Sequence, residues 1–552
     1  MPPSAPAPTR RPGGPRGPGP RRVGQPLSPP GPALPGRADP AAARRGLAGR
    51  RLTAPAPSGG RLGAIPGEQG SAEFRVWAPA ARSVEVRVNG RDHPLAPAGA
   101  GFSAATVPAS PGDRYLFLLD GHAWPDPCSR RQPEGTRGPS ELVEIARVAP
   151  GPPLRLEELV LYELHVGAFS DEGTFDAVVP RLRPLRELGV TAIELMPVGT
   201  FPGHRNWGYD GVYISAPHEA YGGPAGLSRL IEAAHAEGLG VVLDVVYNHI
   251  GPGSEAIAAF GPYFTPRHAT FWGDGLDYAQ TGVREWAIQN AELWVGDYGV
   301  DGLRLDAVAA ICDDSPVHVL AELRDRVKAL NPNALVISEM GRPDLRPLER
   351  WRHDAMWLDS LHHELHVLLT GEREGYYESF GQIEGLVDEL TRERPERFVV
   401  SAQNHDQVGN RATGDRLAAD DHRVALAVVL FSLSTPLLFM GEEARETRPF
   451  QFFTDHTDPA IAEATREGRR REFSRFSGFS AADVPDPQAE ETFRRSKVAA
   501  RRPDPFFAEL IALRRELPRS LEVRAEGTRL ALRRGATELV VDFAAKTVNL
   551  RR

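Results

Sequence analysis

Short apolar runs alternate with longer stretches of helical spacing from about residue 160 to residue 443. In order the runs are "LVLYELHVG", "TAIELMPV", "GVVLDVVYNH", "VDGLRLDAV", "NALVISEM", "DAMWLDSLH", "RFVVSAQNHDQ" and "TPLLFMGEE". Near-continuous apolar strands separated by helices describe a parallel sheet covered on both faces, and eight such units predict a closed (β/α)8 TIM barrel over 149–504. Helical spacing is clearest in "GLSRLIEAAHAEG" and "SPVHVLAELRDRVKAL". Ahead of the barrel, "AEFRVWAPAARSVEVRVNG" and "YLFLLDG" have strand character, with period-two alternation at Val84, Val86 and Val88. They predict a small β-sandwich over 69–148, like a carbohydrate-binding module, joined by the linker "VAPGPPL". Beyond 505, "FFAELIALRREL" has helical spacing. "LEVRAEGTRLALRRGATELVVDF" predicts three antiparallel strands, giving a small C-terminal β-domain over 505–552.

Composition changes this picture at one end only. Residues 1–68 are rich in Pro, Gly, Ala and Arg, with Asp39 the sole acid before Glu68. Such a segment buries too little apolar surface to offset its ordering entropy, so it is expected to be a disordered tail. "VALAVVLFSLSTPLLFM" (Val424–Met440) is shorter than the ~20 apolar residues of a span and is interrupted by Ser432, Ser434, Thr435 and Pro436. It predicts a buried helix followed by a strand starting near Pro436, so no membrane association is expected. A formal net charge of −8 argues against a nucleic-acid-binding surface over the whole chain. The two cysteines, Cys128 and Cys312, are isolated, which fits a reducing cytoplasm.

The strand in "DGLRLDAVAA" (301–310) poses a physical problem. Leu303 and Leu305 read as core, yet Arg304 and Asp306 stand two apart and therefore share a face. Removing a charge from water costs several kcal/mol even after relaxation. Charged and polar residues also gather at the carboxyl ends of other runs: Asp244, Asn248 and His249; Glu339; His405 and Asp406. In such barrels those ends form the active-site face, so groups distant in sequence are expected to converge. Converging acids without metal-binding cysteines point to chemistry on a neutral, oxygen-rich substrate. Glycoside cleavage uses one carboxylate as nucleophile or base and one carboxylic acid to protonate the leaving oxygen. An arginine beside the nucleophile favours its charged form, which gives Arg304 a reason to accompany Asp306.

These stretches resemble the ordered regions of the α-amylase superfamily (glycoside hydrolase family 13): "DVVYNH", "DGLRLDAV", Glu339 and "NHDQ". The resemblance implies a retaining mechanism, with Asp306 as nucleophile, Glu339 as proton donor and Asp406 as transition-state stabiliser. It implies further that Arg304, His249 and His405, together with Asp244, bind the cleaved sugar. "FRVWAPAA", "ELMPVGTFPGHRNWGYDGV", "QNHDQVGNRA" and "PFQFFTDH" are similar to one branch of that superfamily, the malto-oligosyltrehalose trehalohydrolases. Members cleave the α-1,4 bond next to a terminal trehalose unit, releasing trehalose and a shortened maltodextrin. The resemblance implies an oligosaccharide substrate, a malto-oligosyltrehalose synthase as pathway partner, no cofactor and no metal. Asn248 does resemble a calcium ligand of related amylases. Two departures stand out: Ala309 where the family usually has histidine, and "MGRPD" after Glu339 in place of an acid-rich stretch. Glycogen branching enzyme and a non-catalytic α-glucan-binding protein remain as alternatives.

Other candidates carry plainer readings beside them. "NWGYDG" (206–211) falls in the loop after the second strand, where Tyr209 is expected to stack on sugar and Asp210 to bond a hydroxyl. Trp207, Tyr263 and Trp272 are candidate sugar platforms or core aromatics. "FFTDH" (452–456) is expected to close the site beyond the eighth strand. His362 and His363 lack an acid at ligand spacing and read as hydrogen-bonding residues.

Overall fold

Eight parallel strands close into a barrel in the computed structural model, which describes residues 59–270, 273–341, 344–473, 484–499 and 501–552. They are β1 (Leu161–Leu164), β2 (Ala192–Leu195), β3 (Gly240–Val245), β4 (Gly302–Leu305), β5 (Leu335–Glu339), β6 (Ala355–Trp357), β7 (Phe398–Ser401) and β8 (Thr435–Phe439). β8 pairs back onto β1 through Leu437 with Leu161, Leu438 with Tyr162 and Phe439 with Glu163. The predicted barrel is therefore what the apolar runs form. Every residue of β3 is buried, as expected for a strand covered on both faces.

The inward face changes chemistry along each strand. Leu161, Ala192, Val242, Ile337, Ala355, Val399 and Leu437 fill the barrel with apolar side chains. Side chains two apart point the same way. The next inward positions after Leu161, Ala192, Val242 and Ile337 are Glu163, Glu194, Asp244 and Glu339, and after Ala355 comes Trp357. One strand period thus separates a dry plug from a charged layer at the carboxyl ends.

Helices cover the outside: α1 (Phe175–Leu188), α2 (Gly223–Ala236), α3 (Thr281–Glu292), α4 (Val319–Leu330), α5 (Ser360–Thr370), α6 (Ala419–Phe431) and α7 (Pro505–Glu516). Thr174 caps α1 by accepting from the Ala177 N–H at 3.3 Å, and Gly189 at φ +113° ends it. α7 packs against α6 and α1. Its buried Arg514 donates to the carbonyls of Leu430, Ser432 and Ser434, closing the open end of α6. The stretch Val424–Met440 is the end of α6 followed by β8. Among the described residues no helix is long and apolar enough to cross a membrane.

Two boundaries differ from expectation. The expected tail over 1–68 lies outside the described residues up to 58, but Gly63–Pro66 is a strand paired with Ser71–Trp77. Leu62 and Ala64 are buried there, an apolar pattern that the surrounding Gly and Pro obscure. At the other end, the sheet has four strands where three were expected, because Thr547–Arg551 pairs with Thr537–Asp542. That last strand, "TVNLR", does alternate, but it is only five residues long and its apolar Val548 and Leu550 are only half-buried.

The N-terminal strands form one four-stranded and one five-stranded sheet, and Trp77 anchors them to the barrel. Its ring meets Tyr263 edge-on at 5.5 Å between centroids and lies over Gly282, at the start of α3. A Cβ on Gly282 would overlap the indole. Gly282→Ala is expected to lower the unfolding free energy by about 1–3 kcal/mol, the usual cost of overpacking, read from the midpoint of a urea titration.

Candidate active site

At the top of the plug stands Arg304, 1% exposed. Its Nη1 donates to Asp244 Oδ2 and to Asp306 Oδ1, each at 2.8 Å, and its Nη2 lies 3.6 Å from Glu339 Oε2. The guanidinium carbon sits 4.5 Å from the ring centre of Trp357, so an aromatic face covers the charge from β6. One cation therefore holds carboxylates from β3 and β5 and from the residue just beyond β4. Asn248 completes the setting of Asp306, its Nδ2 donating to Oδ2 at 2.6 Å and to the Asp306 carbonyl at 3.0 Å. The amide of Asn248 is thus committed to Asp306, and its oxygen to the His249 ring.

Immediately after Asp306 the backbone turns sharply. Ala307 adopts φ +41° and ψ +49°, a left-handed conformation that costs a non-glycine residue about 1–3 kcal/mol. That turn aims the Ala307 N–H at Glu339 Oε2, 2.5 Å away. Burial pushes the Glu339 carboxyl up to about 8, against the pull of Arg304 and with the push of Asp306, Asp406 and Asp359. Burial likewise raises Asp244 to about 6, although Arg304 opposes it. A carboxyl that keeps its proton near neutral pH, facing another fixed by a guanidinium, is an arrangement for general-acid and nucleophilic work on one bond.

The seventh strand contributes the remaining groups. Asn404 caps the short helix His405–Gly409 by accepting from the Gln407 N–H at 2.8 Å. His405 is buried, and its Nε2 lies 2.8 Å from the Tyr209 hydroxyl and 3.4 Å from Asp406 Oδ2. Asp406 accepts from Asn410 Nδ2 at 2.9 Å, and its side chain remains 38% exposed, so it faces the opening. The Tyr209 hydroxyl donates to Asp244 Oδ2 at 2.6 Å. A continuous polar chain thereby links Asp306, Arg304, Asp244, Tyr209, His405 and Asp406.

Most sequence candidates meet here, and some do not. His249 lies beside the chain, its Nε2 2.8 Å from the Tyr209 carbonyl. Tyr209 stacks on His405, with centroids 5.2 Å apart. Asp210 stands apart from the charge chain: its Oδ2 accepts from Asn206 Nδ2 at 2.6 Å and lies 3.7 Å from His456 Nε2. The segment 452–456 docks on this same loop, with Phe452 against Trp207 and Asp455 accepting from the His204 N–H and from Arg205. Trp207 and Tyr263 are core aromatics rather than platforms, 3% and 2% exposed. Trp272 lies outside the described residues. His362 bonds plainly, its Nδ1 2.6 Å from the Ala402 carbonyl and its Nε2 3.2 Å from the Tyr377 hydroxyl.

Sequence reasoning missed Glu163, Trp357 and Asp359. Glu163 is clamped to His405, Trp357 covers Arg304, and Asp359 is a half-buried acid within electrostatic reach of Glu339. All three follow from strand register. Glu163 falls two after Leu161 and Trp357 two after Ala355, both on the inward face, and Asp359 follows just beyond β6.

The family profile described as alpha amylase, catalytic domain matches residues 134–261. A malto-oligosyltrehalose trehalohydrolase of Deinococcus radiodurans is 44% identical over 504 residues, covering 83% of this chain and 83% of its own. One of the same name from Saccharolobus solfataricus is 39% identical over 484 residues, covering 80% of this chain and 85% of its own. A solved structure described as an alpha amylase from Salmonella typhimurium superposes with a TM-score of 0.80 at 37% identity. It covers 87% of this chain and 92% of that one.

The guanidinium is the hub of the buried charge, so its removal leaves Asp244 and Asp306 uncompensated. Arg304→Met is expected to lower stability by about 3–5 kcal/mol, the cost of breaking a buried pair, as measured by equilibrium urea unfolding.

Proposed function

Because the chain belongs to the malto-oligosyltrehalose trehalohydrolase family of α-amylase-type glycosidases, we propose that it cleaves the α-1,4 bond beside the terminal trehalose of malto-oligosyltrehalose. The products are trehalose and a shortened maltodextrin. The observation that carries the chemistry is the contrast between two carboxyl groups on one guanidinium, Asp306 at 2.8 Å and Glu339 at 3.6 Å. In this reading Asp306 attacks the anomeric carbon while Glu339 gives its proton to the glycosidic oxygen. The C–O bond breaks, trehalose leaves, and a glycosyl ester on Asp306 remains. Glu339, now a carboxylate, takes a proton from water, which opens the ester and frees the maltodextrin. Asp406 faces the positive charge that develops on the sugar ring. Arg304, His249, His405 and Tyr209 shape the subsite of the cleaved glucose, and Asp244 orients Arg304 and Tyr209. Asp210 bonds a hydroxyl nearer the rim.

The substrate ends in trehalose, so an enzyme of the malto-oligosyltrehalose synthase type must first convert the reducing end of a maltodextrin. Ala309, the exposed residue of a single turn whose Val308 is buried, offers only a methyl where the family usually has histidine, so that histidine's contact on the trehalose side is missing here. Likeness to trehalohydrolases over four fifths of the chain favours hydrolysis over branching.

Incubation with malto-oligosyltrehalose is expected to release trehalose. New α-1,6 branches would mark a transferase, and tight binding without any product a glucan-binding protein. Asp306→Ala and Glu339→Ala are each expected to lower kcat by about 1,000-fold or more in that assay. Glu339 must carry its proton, so kcat/KM is expected to fall as pH rises through about 8. A rate still rising well above that pH would remove Glu339 from the donor role.

A further inference from the structure

We propose that Glu163, on β1, is a positioning residue acting through His405: its carboxylate fixes the imidazole with both ring nitrogens protonated, presenting a charged N–H beside Asp406. The inference rests on the hydrolytic reading above and deepens it. Glu163 grips His405 at two points. Oε1 lies 2.5 Å from Nδ1, and Oε2 accepts from the His405 backbone N–H at 3.0 Å. Both side chains are 1% exposed. The Glu163 carbonyl also accepts from the Met440 N–H at 2.9 Å, so β1 is tied to the ends of β7 and β8 at once.

The protonation state follows from counting hydrogens. Tyr209 has one hydroxyl proton and gives it to Asp244 Oδ2, which also receives Arg304. Toward His405 Nε2, at 2.8 Å, the hydroxyl then offers only a lone pair, so Nε2 carries hydrogen. Nδ1 faces a carboxylate, which only accepts, so Nδ1 carries hydrogen as well. The ring is an imidazolium. Burial opposes that charge, but Asp406 and Glu163 outweigh it and lift the group to about 10.

The groups facing the ring from neighbouring elements are Glu163 and His165 from β1 and its end, Glu194 and Tyr209 from β2 and its loop, and Asp244 and Arg304 from β3 and β4. Asp359 reaches it from beyond β6, and Asp406 from its own segment. Burial pushes His165 down to about 4, leaving it neutral. Glu194 pairs across the ladder with Glu163. Burial, Glu163 and Asp244 drive its carboxyl well above the usual range, so it adds little negative charge. Glu163 and Asp406 are therefore the carboxylates that compensate the ring.

The test is the pH profile of kcat/KM for trehalose release by the full chain, compared among wild type, Glu163→Gln, Glu163→Asp and Glu194→Gln. In Glu163→Gln the ring loses one of its two carboxylates. Losing that opposite charge is expected to lower the ring by about 2–3 pH units, from about 10 to or below the Glu339 limb near 8, so the alkaline limb moves acidward. Near pH 8 the rate is expected to fall about two- to tenfold, with recovery toward pH 6. Glu163→Asp is expected to lie between wild type and Gln, and Glu194→Gln to keep the wild-type limb. A uniform loss of rate with every limb in place would reduce Glu163 to a structural role and overturn the proposal. If Glu163→Gln does not fold, an unmoved limb in a folded Glu163→Asp does the same. Wild type releasing no trehalose would instead overturn the hydrolytic reading itself.

Discussion

The structure turns on one guanidinium held in a place where charge is expensive. Arg304 stands on an apolar plug with Trp357 against it, and its Nη1 is shared between Asp244 and Asp306. Without those acids the arginine would be an uncompensated charge in a dry barrel, and without the arginine they would repel one another. Each side of the pairing constrains the other, so β3, β4 and the turn after Asp306 must keep their register. The left-handed backbone at Ala307 belongs to the same constraint, because it delivers an N–H to Glu339 just beyond the guanidinium.

Function grows from a two-residue alternation. The barrel is filled below by Leu161, Ala192, Val242 and Ile337, which hold the strands together. One period later the same faces carry Glu163, Glu194, Asp244 and Glu339. Charge thus accumulates where the strands end and the loops can close over a sugar, while the layer beneath excludes water. Closely placed carboxyls then settle into different protonation states, and acid catalysis needs that difference. The tie from Glu163 to His405 extends the scheme around the barrel, joining β1 to the short helix that carries Asp406.

Much of this was legible in the sequence because barrel strands are short, apolar and bounded. The eight runs, the acids closing "GLRLD" and "VISE", and "NHDQ" could be read one strand at a time. Neighbour relations could not. Glu163 in "LYELH" looks like any polar residue on a strand until the β1–β8 pairing brings it under His405. Trp207 and Tyr263 advertise sugar stacking, yet Phe450 and Trp77 cover them. Pro180 and Pro184 argue against a helix over 175–188, but burial of Phe175, Val178, Leu182 and Leu185 holds α1 together. At the N-terminal end, Gly and Pro in "RLGAIPG" hide a strand whose stability comes from its partner at 71–77.

The central claim is that Asp306, fixed by Arg304, forms the covalent bond to sugar. Its most direct test treats the protein with a fluorinated glycosyl fluoride that slows breakdown of the glycosyl-enzyme, followed by proteolysis and mass mapping. The account predicts a single glycosyl adduct on the peptide containing Asp306. An adduct on Glu339 or Asp406 instead, or turnover of the reagent with inversion and no adduct, would contradict it.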